Sequence, residues 1–166
     1  PPRDFRVLYT ESDSPASATV NGQVNLPRGT KILEVDGVSV VNSDNVEALN
    51  NGLFPRTAGE EHTLVVQDVG ATSSRTITLT SENIAPEPVN RTKIITTSDG
   101  DKIGYMLFNT FSPFASEKSL ADAFENLSTQ DIDDLVLDLR YNGGGLLAVA
   151  AQLGYMVAGD ARTNGK

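Results

Sequence analysis

The run Leu135-Val136-Leu137-Asp138-Leu139-Arg140-Tyr141-Asn142-Gly143-Gly144-Gly145 constrains this chain more than any other stretch. An apolar strand ends there in consecutive glycines, and residues without a Cβ can present bare backbone amides to a ligand. An apolar, helix-like stretch from Leu146 to Val157 follows at once. The glycines therefore fall at a helix N-terminus, whose unpaired amides and dipole favour an anion. Which anion is the functional question.

Composition removes several answers. The formal net charge of −9, with no Lys/Arg run to offset it, repels phosphate backbones and anionic lipid, so nucleic acid is not an expected partner. No stretch approaches the roughly 20 uninterrupted apolar residues of a membrane helix. Pro1-Pro2-Arg3-Asp4 does not read as a signal peptide, which says nothing about one already removed. With no cysteine, disulfides and thiolate metal sites are excluded. At 166 residues the chain can bury one sizeable core or two small ones.

Two grammars divide the chain. From Phe5 to Ser81, short β runs alternate with turns: Phe5 to Thr10, Lys31 to Val35, Val38 to Val40, Thr63 to Gln67 and Arg75 to Thr80. Between them Val46, Leu49 and Leu53 recur at i, i+3 and i+7, and Ser43 or Asp44 is placed to cap the helix this predicts. Glu82 to Arg91, carrying Pro86 and Pro88, has no period and reads as a linker or strap. Beyond it Lys93 to Thr97 and Lys102 to Asn109 flank Asp99-Gly100, a hairpin-turn dipeptide. A helix is predicted over Ser116 to Leu127, with Leu120, Ala123, Phe124 and Leu127 on one face, and then the strand Leu135 to Leu139. Strand, helix, strand implies a right-handed crossover between parallel strands, with ligands beyond the strand C-termini, where the glycines lie.

Two segments resemble a known family. Ser14-Pro15-Ala16 followed by Arg28-Gly29-Thr30-Lys31-Ile32-Leu33-Glu34-Val35-Asp36-Gly37-Val38 resembles the signature of PDZ domains, with Thr30 in place of the usual aspartate. Gly104-Tyr105-Met106-Leu107, the helix from Ser116 and the run Leu135 to Gly145 resemble the start of the catalytic domain of carboxyl-terminal processing (tail-specific) serine peptidases. Gly143 stands where many members carry proline.

The resemblance implies a mixed α+β and α/β fold. A PDZ-like β-rich module with one main helix (residues 1–81, its N-terminal strand and carboxylate loop missing) is followed by a linker (82–92). Residues 93–166 would be the first βαβ portion of a ClpP/crotonase-like peptidase domain. The implied activity is cleavage near protein C-termini by a serine nucleophile with a lysine general base, without cofactor or metal. The implied partners are protein or peptide C-terminal tails, and the implied location is the bacterial cell envelope.

Carried over residue by residue, Gly144, with Gly145 beside it, is the implied oxyanion-hole donor, where losing one such donor typically costs ~3–4 kcal/mol of barrier. On the glycines alone, a tight turn needing positive φ accounts for them equally well. Asp138 and Arg140 are expected to orient the loop by hydrogen bonds and charge pairing, and Asn142 to tie it down or cap the next helix. In the PDZ-like module Val46 and Leu49 are the candidate peptide contacts, with core packing an equal alternative.

No serine follows Ser128, and the only lysine after Lys118 is Lys166. The family's nucleophile and base lie downstream of the glycine run, so the chain itself is expected to be inactive. Ser112 and Ser116 precede a predicted helix, where a hydroxyl caps backbone amides. His62, the single histidine, sits at the start of a strand in the other module. A truncated parallel sheet also leads one to expect self-association.

Two rivals remain at this level. Gly143-Gly144-Gly145-Leu146-Leu147-Ala148 fits the dinucleotide pattern G-x-G-x-x-A. That reading needs a second strand ending in an acidic residue about 20 positions on, and Gly159-Asp160 comes too early. A non-catalytic PDZ scaffold is the other.

Overall fold

The computed structural model describes residues 2–112 and 115–159. The chain separates into two compact units, Pro1–Ala85 and Pro86–Lys166.

In the first unit, strands β1 (Thr19–Val20) and β2 (Gln23–Val24) form a small hairpin, and β3 (Lys31–Val35), β4 (Val38–Ser39), β5 (Glu61–Gln67) and β6 (Arg75–Thr80) form an antiparallel sheet. The order in that sheet is β4-β3-β5-β6. Two-residue turns close both tight hairpins, Asn21-Gly22 with φ of 51° and 79°, and Asp36-Gly37 with φ of 49° and 75°. Positive φ at both central residues is the turn whose twist matches paired strands. The helix α1 (Val46–Leu53) covers one face. Leu26, Val35, Val40, Leu49, Leu64 and Val66 make the core, joined at its margin by Ile32, Leu53, Ile77 and Leu79.

Several expectations for this unit need correction. Phe5 to Thr10 forms no named strand; it meets β3 through one bridge, Arg6 to Lys31. The Val7 N–H donates to Thr30 O and the Gly29 N–H to Val7 O, and Gly29, at φ 86°, turns the chain before the pairing can extend. The α1 cap is Asn45, whose Oδ1 accepts the Ala48 N–H at 3.1 Å, and not Ser43 or Asp44. Thr30 is fully buried and donates to Asp68 Oδ1 at 2.9 Å, while Arg75 Nε donates to Asp68 Oδ2 at 2.7 Å. An aspartate at position 30 would set two carboxylates against each other there.

In the second unit, β7 (Val89–Thr96) and β8 (Lys102–Phe108) form an antiparallel hairpin, α2 (Ala115–Ser128) crosses over, and β9 (Asp134–Asp138) pairs parallel to β8. Helix α3 (Leu147–Ala158) follows the glycines. The predicted βαβ order is therefore observed. The strap expected over 82–92 gives its last residues to β7, because Pro86 and Pro88 lack N–H groups while Val89 can pair with Phe108. Met106, Phe108, Leu120, Ala123, Leu127, Val149 and Leu153 form the core. Gly104 lets Ile132 pack onto β8, since a Cβ there would lie 2.8 Å from Ile132 Cδ1.

Candidate functional site

Beyond the C-terminal ends of β8 and β9 the chain runs as two facing segments, 108–112 and 142–146. Asn142 Nδ2 donates to Phe108 O at 3.0 Å, and the Gly143 N–H to Asn109 O at 3.0 Å. The Phe111 N–H donates to Gly144 O at 2.8 Å, and the Leu146 N–H to Phe111 O at 3.0 Å. Four hydrogen bonds thus hold the glycine loop to the end of one strand.

Within that frame the glycines differ. The Gly144 N–H donates to Asn142 Oδ1 at 2.8 Å, and Gly144 takes φ 89°. Gly145, at φ 141°, is exposed, and among the described residues its N–H has no acceptor. A Cβ on Gly145 would sit 2.6 Å from Ser112 N and 2.7 Å from Phe111 O, so glycine is demanded there by close backbone approach. Around Gly143 a Cβ would meet nothing within 4 Å. Leu146 caps α3 with no side-chain hydrogen bond, so the cap residue itself leaves the first amides of that helix unpaired. An open amide beside a helix N-terminus can stabilise negative charge that develops next to it.

Asp138 lies under the loop, with its side chain 5% exposed. It accepts Arg140 Nη2 at 2.6 Å, Tyr105 Oη at 2.7 Å and the Arg140 N–H at 3.1 Å. The Arg140 guanidinium and the Tyr105 hydroxyl hold its carboxyl far below the usual carboxylate range. A group so committed is poorly suited to proton transfer near neutrality, and its geometry is that of a support. Tyr105, Asn109 and Phe111 escaped sequence reasoning as site residues. Only the parallel β8–β9 pairing brings them, from more than 30 positions away, to the loop.

The two upstream serines bond differently. Buried Ser116 donates to Thr110 O at 3.2 Å, a different bond from the amide cap expected of it, and the Ser112 N–H donates to Thr110 Oγ1 at 3.1 Å.

In the first unit, Leu49 is a core residue and Val46 is 57% exposed. Neither lines the cavity of about 310 Å³ that the unit contains. The same helix contributes Gly52 and Leu53 to that cavity instead, opposite Leu26, Ile32, Leu64 and Leu79. His62 also lines it. His62 Nδ1 lies 2.7 Å from Asp36 Oδ2, and Asp36 Oδ1 accepts the Thr63 N–H at 2.9 Å. Partial burial works to raise the Asp36 carboxyl, but the bonds from His62 and Thr63 outweigh it and lower it.

Comparison with known proteins bears on the second unit directly. Residues 102–164 match the sequence profile of Peptidase family S41. A carboxyl-terminal-processing protease of Picosynechococcus is 31% identical over 149 residues, covering 90% of this chain and 34% of that protein. A chloroplastic C-terminal processing peptidase of Tetradesmus obliquus is 28% identical over 138 residues, covering 78% and 29%. The solved structure of a photosystem II D1 C-terminal processing protease aligns at TM-score 0.48 with 27% identity, covering 77% of this chain and 35% of that one. The chain spans about a third of the length of the curated relatives it matches.

Proposed function

The chain belongs to peptidase family S41, and from that premise we propose that it is part of a serine endopeptidase that cleaves proteins near their C-termini. The single observation that carries this reading is the glycine loop. It is pinned by four hydrogen bonds to 108–111, yet among the described residues the Gly145 N–H is left without an acceptor at the start of α3. A preorganised donor of this kind stabilises the tetrahedral oxyanion of acyl transfer without reorganising during the reaction. Of the two glycines, Gly145 is then the readier donor, and Gly144 joins it only if Asn142 Oδ1 gives way.

The catalytic serine and lysine would come from sequence beyond these residues, so the chain alone would not turn over peptides. In the whole protein the serine attacks the scissile carbonyl while the lysine accepts its proton, and the loop amide receives the developing negative charge. Asp138, Arg140 and Tyr105 hold the floor of the loop. A dinucleotide cradle is less well supported, because the Gly143 and Gly144 amides that would face a pyrophosphate are already bonded.

Within the first unit we propose a PDZ-like module, residues 1–81, that docks the substrate tail. The cavity beside α1 is the better candidate for a tail side chain than Val46 or Leu49, since Leu53 and Gly52 open onto it. The bacterial cell envelope is the proposed compartment, supported by the chloroplastic and cyanobacterial relatives. No helix among the described residues is long and apolar enough to cross a membrane. Exposed Leu146, Leu147, Tyr155 and Val157 along α3 support self-association of the chain, which light scattering across concentrations would reveal.

The test is to express the parent reading frame through the next ~100 residues, about the remainder of a domain, beside this chain. The longer protein should cleave peptides at their C-terminal region and lose that activity when its downstream serine is changed to alanine. The 166-residue chain should show no turnover. Turnover by the repurified chain, or a parent lacking both serine and lysine, would end the proposal.

A further inference from the structure

Four Asn-Gly pairs occur in the chain, at 21–22, 51–52, 142–143 and 164–165. The dipeptide has a reaction of its own. The glycine nitrogen attacks the preceding side-chain amide carbon, forming the Cγ–N bond of a five-membered imide while the Cγ–Nδ2 bond breaks and ammonia leaves with the glycine amide proton. Water then opens the ring to aspartate, or to isoaspartate, whose backbone runs through the side-chain carbon. Glycine favours the attack because no Cβ shields its nitrogen. A carboxamide or amide nitrogen held in hydrogen bonds must first be released.

The fold treats these pairs differently, 164–165 lying outside the described residues. Asn142-Gly143 is locked at each reacting group. Asn142 Nδ2 donates to Phe108 O at 3.0 Å, its Oδ1 accepts the Gly144 N–H at 2.8 Å, and the Gly143 N–H donates to Asn109 O at 3.0 Å. Asn51-Gly52 lies inside α1, where the helical ladder takes the Gly52 N–H, and buried Gly52 packs against Val35. Asn21-Gly22 has neither restraint. Both residues are exposed, no hydrogen bond among the described residues holds the Asn21 carboxamide or the Gly22 N–H, and a Cβ on Gly22 would meet nothing within 4 Å. The strands that the turn joins are two residues each, so little ladder resists local opening. The bonds that fasten the hairpin, Gln23 Nε2 to Asp68 Oδ2 at 2.8 Å and Arg75 Nη2 to Val24 O at 3.2 Å, fall after the turn and leave it free.

We propose that Asn21 is the site of spontaneous deamidation in this chain, and that the bonds of the glycine loop withhold the same reaction from Asn142. Conversion at position 21 adds one negative charge to an exposed turn. Conversion at position 142 would take from the loop its donor to Phe108 O. The fold thus steers the chemistry away from the loop whose own dipeptide invites it.

The experiment incubates the 166-residue chain in mildly alkaline buffer, digests it with trypsin and follows each peptide by mass spectrometry. Cleavage after Arg28, Lys31, Arg56 and Arg140 puts the three pairs on separate peptides, and fragment spectra locate the replacement of amide nitrogen by oxygen. Asn21 should convert at least about tenfold faster than Asn51 or Asn142, since releasing even one hydrogen bond costs roughly that factor. In guanidinium chloride the three rates should converge. Gly145→Ala, which presses into the Phe111–Ser112 backbone, should speed conversion of Asn142 and leave Asn21 unchanged. Conversion of Asn51 or Asn142 as fast as Asn21 in the folded chain would overturn the inference. So would a ranking that survives unfolding, because flanking sequence and not the fold would then set the rates.

Discussion

Asn142 and Gly144 are joined by a side-chain bond that folds the loop back on itself, with the Gly144 N–H donating to Asn142 Oδ1 at 2.8 Å while Nδ2 of the same amide reaches Phe108 O. One side chain thereby fixes both the loop's conformation and its distance from β8. Asn142→Ala should remove both bonds and destabilise the second unit by about 1–2 kcal/mol. Urea unfolding measures this. In the active parent the same change should lower kcat more than it raises KM, since it frees one amide while loosening the frame around its neighbour.

The glycines themselves can be separated by stability. Gly145→Ala would press a methyl group into the Phe111–Ser112 backbone at positive φ, and a loss of about 2–3 kcal/mol is expected. Gly143→Ala meets open space at ordinary φ and should stay within about 0.5 kcal/mol of the unmodified chain. Equal effects from the two would contradict the loop geometry.

Asp138 should make the chain sensitive to acid in a predictable direction. Its folded carboxyl lies far below the unfolded value of about 3.9, through the Arg140 guanidinium and then the Tyr105 hydroxyl. A lowered folded value adds stability that is complete above the unfolded value and is lost as pH falls toward the folded one. The stability difference between the unmodified chain and Asp138→Asn should therefore be constant from about pH 5 to 8 and shrink progressively below about pH 4. Thermal melts of both proteins across that range provide the check, and a difference that grows in acid would reverse the assignment.

Leu49 and Val46, neighbours on the apolar period of one helix, should part company. Leu49→Ala empties a core position and should cost about 2–5 kcal/mol. Val46→Ala alters an exposed residue and should change stability by about 0.5 kcal/mol or less. Peptide affinity of the folded Val46→Ala variant tests separately whether the exposed valine touches a tail.

That contrast also shows what periodicity can and cannot reveal. The spacing of Val46, Leu49 and Leu53 announces a helix, but it does not say which apolar residue packs inward and which meets a ligand. The crossover from β8 through α2 to β9 is readable because α2 carries a clear helical period between two short apolar runs. The hairpin at Asn21-Gly22 carried its signal in that dipeptide, yet strands of two residues offer no alternation to support it. Phe5 to Thr10 reads as a short β run but loses its ladder to the turn at Gly29. The glycine loop stood out from composition alone, whereas its partners at 108–111 did not. Nothing local to those residues indicates that a parallel strand will carry the glycines alongside them.

The four bonds between 108–111 and 142–146 make the loop a dependent of strand alignment. A single residue inserted into the β7–β8 hairpin, at the opposite end of β8 from the glycine loop, could slide β8 by one position against β9. Every carbonyl and amide in the clamp would then face the wrong partner together. The placement of the Gly145 amide is in this sense inherited from a distant turn, and lesions in that turn would silence the loop while leaving its own sequence untouched.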